Sequence, residues 1–347
     1  MIFRQLYDST SSTYTYVLAD EGFRKALIID PVFGHIERDL ALLRELDLTL
    51  DLVVDTHAHA DHITAAWLLK ERTGCAIASA RAINAEHVDH YLDDGDVFSV
   101  PGVSLRALAT PGHTDGCMSF VTSDNAMVFT GDTLLIRGCG RSDFQQGSAH
   151  KLYHSITQKL FKLPDATLVY PAHDYQGRNV SSIAEEKRFN ARVGAGANET
   201  DFVQYMQAMK LPHPKLIDEA VPANLRSGAP IDGKLPQMPD WADVRMTYAG
   251  VAEIDADWLE QHLDDVTVLD VRLAEEIRDC PVASRLVDVH IALSELRQRA
   301  GELPRDKPIV ALCRSGRRSS LAVSILKEAG FERVASLSRG LQQMIQT

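Results

Sequence analysis

The segment Thr56-His57-Ala58-His59-Ala60-Asp61-His62 places four metal-ligating side chains within six residues. An apolar run, Asp51-Leu52-Val53-Val54-Asp55, precedes it and reads as a buried strand. A helix is predicted from Ile63 to Arg72. A strand end, a tight loop and a helix turn His57, His59, Asp61 and His62 onto one spot. Imidazoles and carboxylates packed that closely imply a metal, because without one they leave buried polar groups unsatisfied. A lone histidine carries no such message. The spacing H-x-H-x-D-H does.

Outward from this loop the same device recurs. Upstream, residues 2–7, 14–19 and 26–30 read as strands and 35–46 as a helix, with Ile36, Leu40, Leu43 and Leu46 on one face. Downstream, Cys75 to Ser79 reads as a short strand. Val103 to Thr110 alternates as a strand and delivers Pro111-Gly112-His113-Thr114-Asp115-Gly116. A hairpin over 119–130 ends in Gly131-Asp132-Thr133. After a helix at about 149–162, Thr167–Tyr170 leads into Pro171-Ala172-His173-Asp174-Tyr175. Each strand ends at an imidazole or carboxylate, where loops project ligands from a rigid sheet. Singly, His113 or Asp132 would pass for a turn residue. With the first cluster they form a constellation.

Composition bounds the rest. A chain of 347 residues suggests two domains. The net charge of −12 argues against nucleic-acid and anionic-membrane partners. No apolar run approaches the roughly 20 residues of a membrane span, and Met1-Ile2-Phe3-Arg4 lacks a signal-peptide layout. Five cysteines without framework spacing fit a reducing compartment, so a cytoplasmic location is expected.

His57, His59, Asp61, His62, His113, Asp132 and His173 together resemble the metallo-β-lactamase fold, over about residues 1–230. That resemblance implies an αβ/βα sandwich with its metal site at one edge of two facing sheets. It leaves the chemistry open, since the fold serves many reactions. All positions of a two-metal hydrolase like glyoxalase II are present. The rival is a single iron on two histidines and one aspartate, which would be His57, His113 and Asp132. His59, Asp61, His62 and His173 would then orient ligands or line the pocket.

The segment Gly131-Asp132-Thr133-Leu134-Leu135-Ile136-Arg137-Gly138-Cys139-Gly140-Arg141-Ser142-Asp143-Phe144-Gln145-Gln146-Gly147 separates these two. Glyoxalase II has a related Gly-Cys-Gly, but the Leu-Ile-Arg and Asp-Phe-Gln-Gln-Gly parts resemble the persulfide dioxygenases. Those enzymes oxidise glutathione persulfide to sulfite and glutathione with iron and dioxygen. The resemblance implies one Fe(II) per chain and assigns Arg141 and Tyr175 to glutathione binding, with Arg226 a further candidate. A basic side chain and a phenol suit an anionic tripeptide. Cys139 reads as a packing residue, and Cys75 and Cys117 as structural.

Residues 226–247 are rich in Pro, Gly and Asp, and a linker is placed at 231–249. Beyond it an α/β pattern covers 250–347: helix 255–262, strand 266–270, helix 293–299, strand 308–312, helix 319–329, strand 334–337. Cys313-Arg314-Ser315-Gly316-Arg317-Arg318 lies between strand and helix. Successive backbone N–H groups, a helix N-terminus and arginines there favour thiolate over thiol. Cysteine phosphatases need Cys-x5-Arg to cradle phosphate. This loop is Cys-x4-Arg, which suits sulfur carried as a persulfide.

With Val268-Leu269-Asp270-Val271-Arg272 upstream, this loop resembles the rhodanese sulfurtransferases, an α/β domain. Cys313, Arg314 and Arg318 are then the catalytic group. Two stretches depart from that family, Cys280-Pro281-Val282-Ala283-Ser284 and Ser338-Arg339-Gly340-Leu341-Gln342-Gln343-Met344, and they bear on acceptor docking. Cys280 is expected to be structural. The two halves together imply a persulfide dioxygenase–rhodanese fusion with glutathione persulfide, dioxygen, thiosulfate or sulfite, and glutathione as its reactants. A homo-oligomer is compatible with this reading.

Overall fold

A computed structural model describes residues 1–209, 212, 216–235, 241–282 and 285–342. Pro236 and Pro239 of the expected linker, and Ala283, Ser284, Gln343 and Met344 of the departing stretches, lie outside the described residues. The chain divides into two units, Met1–Ile36 with Leu46–Leu235 and Glu37–Glu45 with Pro236–Thr347.

The first unit holds two six-stranded sheets. One runs β1 (Ile2–Asp8), β2 (Thr13–Ala19), β3 (Lys25–Ile29), β4 (Thr49–Val54), β5 (Ala76–Ala80) and β6 (His90–Leu92) in sequence order. Its first three strands are antiparallel and the rest parallel. The other contains β7 (Val97–Val100), β8 (Val103–Ala109), β9 (Met118–Thr122), β10 (Met127–Gly131), β11 (Leu168–Pro171) and β12 (Ser181–Ser182), mostly antiparallel with β10 parallel to β11.

Alternation along the strands explains the layering. Tyr14, Tyr16 and Leu18 of β2 share one core with Leu105, Ala107, Phe120 and Phe129 of the second sheet. Leu108, Val121, Val128 and Val169 point the other way, onto a helical layer. That layer is built from α3 (Ala149–His154), α4 (Ile183–Phe189) and α5 (Glu199–Ala208); α2 (Ala66–Thr73) comes earlier in the same unit, whereas α1 (Ile36–Glu45) is grouped almost wholly with the second. The sandwich is the expected αβ/βα arrangement. Phe129 is fully buried between the sheets, so truncating it to Ala would cost about 3–5 kcal/mol.

Two local expectations need correction. The helix expected from Ile63 begins at Ala66. Thr64 is extended instead, bridging Val32 and donating through its hydroxyl to Asp55 at 3.0 Å. The helix expected over 149–162 is α-helical only to His154, then widens into a π-turn (Ser155–Lys159) and tightens to 3-10 (Leu160–Lys162). Helices α4, α5 and α6 (Ile217–Asn224) were not expected at all.

The second unit has one sheet in the order β13-β14-β18-β17-β15-β16. Its strands are β13 (Arg245–Met246), β14 (Ala252–Ile254), β15 (Thr267–Asp270), β16 (Val289–His290), β17 (Ile309–Leu312) and β18 (Val334–Leu337). All neighbours are parallel except the edge pair β13–β14. Parallel strands buried on both faces read as continuous apolar runs, as β17 does. Between them lie α7 (Ala256–Gln261), α8 (Ala274–Asp279), α9 (Leu293–Arg299) and α10 (Arg317–Glu328). Gly316 opens α10 with a left-handed backbone, φ 86°, which a side chain would strain.

Candidate functional site

Four strand ends meet at one edge of the sandwich. Main-chain bonds stitch them: Met118 N–H donates to Thr56 O at 2.8 Å, Ala172 N–H to Gly131 O at 2.9 Å, and Tyr14 N–H to Ala172 O at 2.7 Å. Gly131 sits at φ 52°, and a Cβ there would stand 2.8 Å from Thr56 Oγ1. Only glycine lets β10 approach the loop after β4 so closely.

On this frame one ligating atom each of His57, His113 and Asp132 lies within 4.8 Å of the others. Hydrogen bonds set which atoms those are. Thr56 Oγ1 donates to Asp30 Oδ2 at 2.9 Å, so its oxygen accepts from His57 Nδ1, also at 2.9 Å. His113 Nδ1 donates to the carbonyl of Arg141 at 2.7 Å. Both rings therefore carry Nδ1–H and present the Nε2 lone pair. Asp132 Oδ1 takes a 2.6 Å bond from His173 Nδ1, and its Oδ2 lies 3.6 Å from His113 Nε2. Burial, then the neighbouring His59, pushes the His57 pKa far down, which keeps it in the neutral form that ligates. Two oriented imidazoles and an anchored carboxylate fit a divalent transition metal.

His173 stands apart from that set. Its Nδ1 bonds Asp132 and its Nε2 bonds Asp61 Oδ2 at 2.9 Å. Burial opposes a charge there, but the carboxylates of Asp132 and Asp61 outweigh it and push its pKa well above the usual imidazole value. Thr13 Oγ1 also lies 3.0 Å from Nε2, so both ring nitrogens have polar partners. Asp61 Oδ2 also accepts from Thr13 Oγ1 and from His62 Nδ1, each at 3.0 Å. His59, Asp61 and His62 form a second group whose ligating atoms fall within 4.8 Å. His59 Nδ1 and His62 Nε2 are buried without a hydrogen-bond partner.

The remaining expected residues divide. Tyr175 is exposed, with its ring stacked on His173 at a centroid distance of 5.9 Å. Arg141 donates to Asp143 at 2.6 and 2.7 Å and to Pro212 O at 2.9 Å. Arg226 folds back onto the Pro222 and Ala229 carbonyls, the bonding of a helix cap. Cys139 is buried beside Met206, and burial pushes its thiol up to about 11, as its packing role requires. Cys75 and Cys117 are buried as well. Cys280, expected to be structural, is instead exposed, at the C-cap of α8.

In the second unit Cys313 ends β17 and is buried. Burial alone would raise its pKa. Ser319 Oγ, 3.6 Å away, and the N–H groups of Ser319, Ser315 and Arg318 outweigh it and bring the pKa below the usual thiol value. Arg318 is held by Glu276 through two bonds of 2.5 and 2.6 Å, while Arg314 and Arg317 are exposed.

Residues 9–173 match the metallo-beta-lactamase superfamily and residues 255–347 the rhodanese-like domain family. The mitochondrial persulfide dioxygenase ETHE1 of Bos taurus is 48% identical over 229 residues, covering 66% of this chain and 89% of that protein. The chain belongs to the persulfide dioxygenase family. The crystal structure of ETHE1 from Myxococcus xanthus superposes with a TM-score of 0.64 at 54% identity, covering 66% of this chain and all of that one. A metallo-beta-lactamase from Staphylococcus aureus, at 20% identity and TM-score 0.62, shares the fold along 97% of this chain. The persulfide dioxygenase likeness thus covers the first unit, and the rhodanese-like match extends the chain beyond it.

In this member of the persulfide dioxygenase family, two residues of the sites escape pattern reading. Asn224, at the end of α6, donates through Nδ2 to the carbonyls of His59 and His62 at 2.9 and 2.8 Å and accepts from Thr64 N–H at 2.9 Å. It pins the metal loop from 160 residues away in sequence. Glu276 is the other, brought down to about 2 by its bonds from Arg318 and from Leu273 N–H. Its place six residues after Asp270, opening α8, was the available signal.

Proposed function

We propose that the first unit oxidises glutathione persulfide to sulfite and glutathione, using one ferrous ion on His57, His113 and Asp132. The observation that carries this is the grouping of one ligating atom each of His57, His113 and Asp132, with Nδ1 of both imidazoles already bonded to Thr56 Oγ1 and to the Arg141 carbonyl. Three protein ligands leave open positions, and iron bound there would supply the redox chemistry that joins dioxygen to sulfur. Overall, RSSH + O2 + H2O gives RSH, sulfite and two protons. Arg141 and Tyr175, the latter beside His173, are the tripeptide's partners in this reading, the guanidinium and the phenol hydroxyl pairing with its carboxylates. His173 and Asp61 hold Asp132 in its ligating orientation.

The second unit transfers sulfur through Cys313. Its thiolate attacks the outer sulfur of thiosulfate, the S–S bond breaks, and sulfite leaves with the electron pair. A glutathione thiolate then takes that sulfur, forming glutathione persulfide and restoring the Cys313 thiolate. Run in reverse, sulfite is the acceptor and thiosulfate the product. The proposed coupling has this unit feed the first. Free cysteines favour a reducing cytoplasm.

One observation favours a two-metal hydrolase: the orphaned nitrogens of His59 and His62 beside Asp61. Metal analysis with an oxygen electrode separates the readings. About one iron per chain and oxygen uptake with glutathione persulfide are expected. About two metals per chain, hydrolysis of S-lactoylglutathione and no oxygen uptake would replace the dioxygenase by a thioesterase.

A further inference from the structure

We propose that Gln145 is a positioning residue of the glutathione site: through one side-chain bond it fixes the tip of the Arg141–Gly147 loop against the metal loop. This rests on the reading of the first unit given above. Phe144-Gln145-Gln146-Gly147 is a tight turn, closed by a 2.7 Å bond from Gly147 N–H to Phe144 O. Both central residues have left-handed backbones, Gln145 at φ 48° and Gln146 at φ 58°. Turns of this mirror-image kind are normally filled by Gly, Asn or Asp, because other side chains crowd the following carbonyl. Two glutamines in succession are strained there, and such strain persists where surrounding contacts over-determine it.

Those contacts lead to the metal loop. Gln145 Nε2 donates to the carbonyl of Ala58 at 2.8 Å, between His57 and His59 and 87 residues away in sequence. The two ends of the loop are tied to the turn that carries His113. At one end His113 Nδ1 donates to Arg141 O, and at the other Ser148 N–H donates to Gly112 O at 2.8 Å. A Cβ on Gly147 would stand 2.7 Å from His113 O, so the loop cannot close further on that turn. The Gln145 bond then fixes the tip. That tip carries Phe144, and the Arg141 guanidinium lies over its ring, 4.3 Å from the centroid. The arginine proposed to hold glutathione is thus set against the metal loop by one side-chain amide. Reach and proton are both required: asparagine is one methylene shorter, and a carboxylate has nothing to donate.

The test uses the full, iron-loaded chain. Gln145→Met keeps the length of the side chain and removes the donor, whereas Gln146→Gly relaxes the turn and leaves the bond to Ala58 in place. Glutathione titrated by calorimetry should bind Gln145→Met roughly two- to tenfold more weakly, the span of one neutral hydrogen bond. The kcat/KM for oxygen uptake with glutathione persulfide should fall alongside, with iron content at the wild-type level. Gln146→Gly should bind glutathione as wild type does. Unchanged glutathione affinity in Gln145→Met, loss of iron from it, or an equal loss of affinity in Gln146→Gly would each overturn the role of Gln145. A wild-type chain that binds glutathione but takes up no oxygen would instead overturn the dioxygenase reading, and the binding result would still decide Gln145.

Discussion

His113 donates through Nδ1 to the main-chain carbonyl of Arg141 at 2.7 Å. One bond thereby orients a metal-facing imidazole and fixes the start of the loop proposed to hold the substrate. Gly140 lies between the two partners' segments. A Cβ there would stand 2.3 Å from Asp132 O and 2.9 Å from His113 Nδ1. Ligand geometry and loop position are therefore one constraint.

Gly140→Ala should force that loop away from Asp132 and lower both iron content and oxygen uptake. Sulfur transfer from thiosulfate to cyanide should be unchanged. Full iron occupancy in the variant would show that the loop can shift without disturbing the ligands.

Asn224→Ala removes three hydrogen bonds to the backbone of the metal loop. Leaving those buried groups unpaired should cost about 1–3 kcal/mol in chemical denaturation. Iron affinity should fall roughly 10- to 100-fold, as when a group that supports ligands is lost. Wild-type iron affinity with lowered stability would restrict Asn224 to folding.

Arg141→Ala or Tyr175→Phe should raise KM for glutathione persulfide more than it lowers kcat, because the proposed reading has both bind the tripeptide away from the reacting sulfur. A charge-assisted bond contributes about 1.5–3 kcal/mol, or roughly ten- to a hundredfold in binding. Steady-state oxygen uptake at varied substrate reads this out. An unchanged KM in both variants would remove them from the pocket.

Ser319 helps hold the Cys313 pKa below the ordinary thiol value. The group is an acid whose charged form reacts, so sulfur transfer should fall as pH drops through the lowered pKa and stay level above it. Ser319→Ala removes one donor to the sulfur and should move that limb to higher pH. Activity lost at neutral pH should return in alkaline buffer. Equal pH profiles for both proteins would mean the backbone N–H groups suffice.

Cys313→Ser keeps the size of the nucleophile but cannot form a persulfide. Oxygen uptake with added glutathione persulfide should survive, and uptake with thiosulfate plus glutathione should vanish. Persistence of the second activity would mean that the rhodanese unit does not feed the iron site. If wild type lacks the coupled uptake altogether, sulfur runs the other way, towards thiosulfate.

Local chemistry was legible without the fold. H-x-H-x-D-H after an apolar strand, an acid or imidazole at each later strand end, and Cys-x4-Arg between strand and helix carried the resemblances that implied both sandwich and sulfurtransferase unit. They did so because metal ligation and thiolate stabilisation need particular residue types at short, fixed spacings. Tertiary structure alone decided how those groups are held. Nothing in the spacing tells that Thr56 passes its proton to Asp30 and so sets the His57 tautomer, or that His173 is bound on both nitrogens by carboxylates. Nor does periodicity tell that Thr64 is drawn out of the helix by Asp55 and Asn224. Such bonds join side chains to groups far away in the chain, where neither a period nor a propensity records them. Their geometry exists only once the strands have paired and the loops have nowhere else to place their polar atoms.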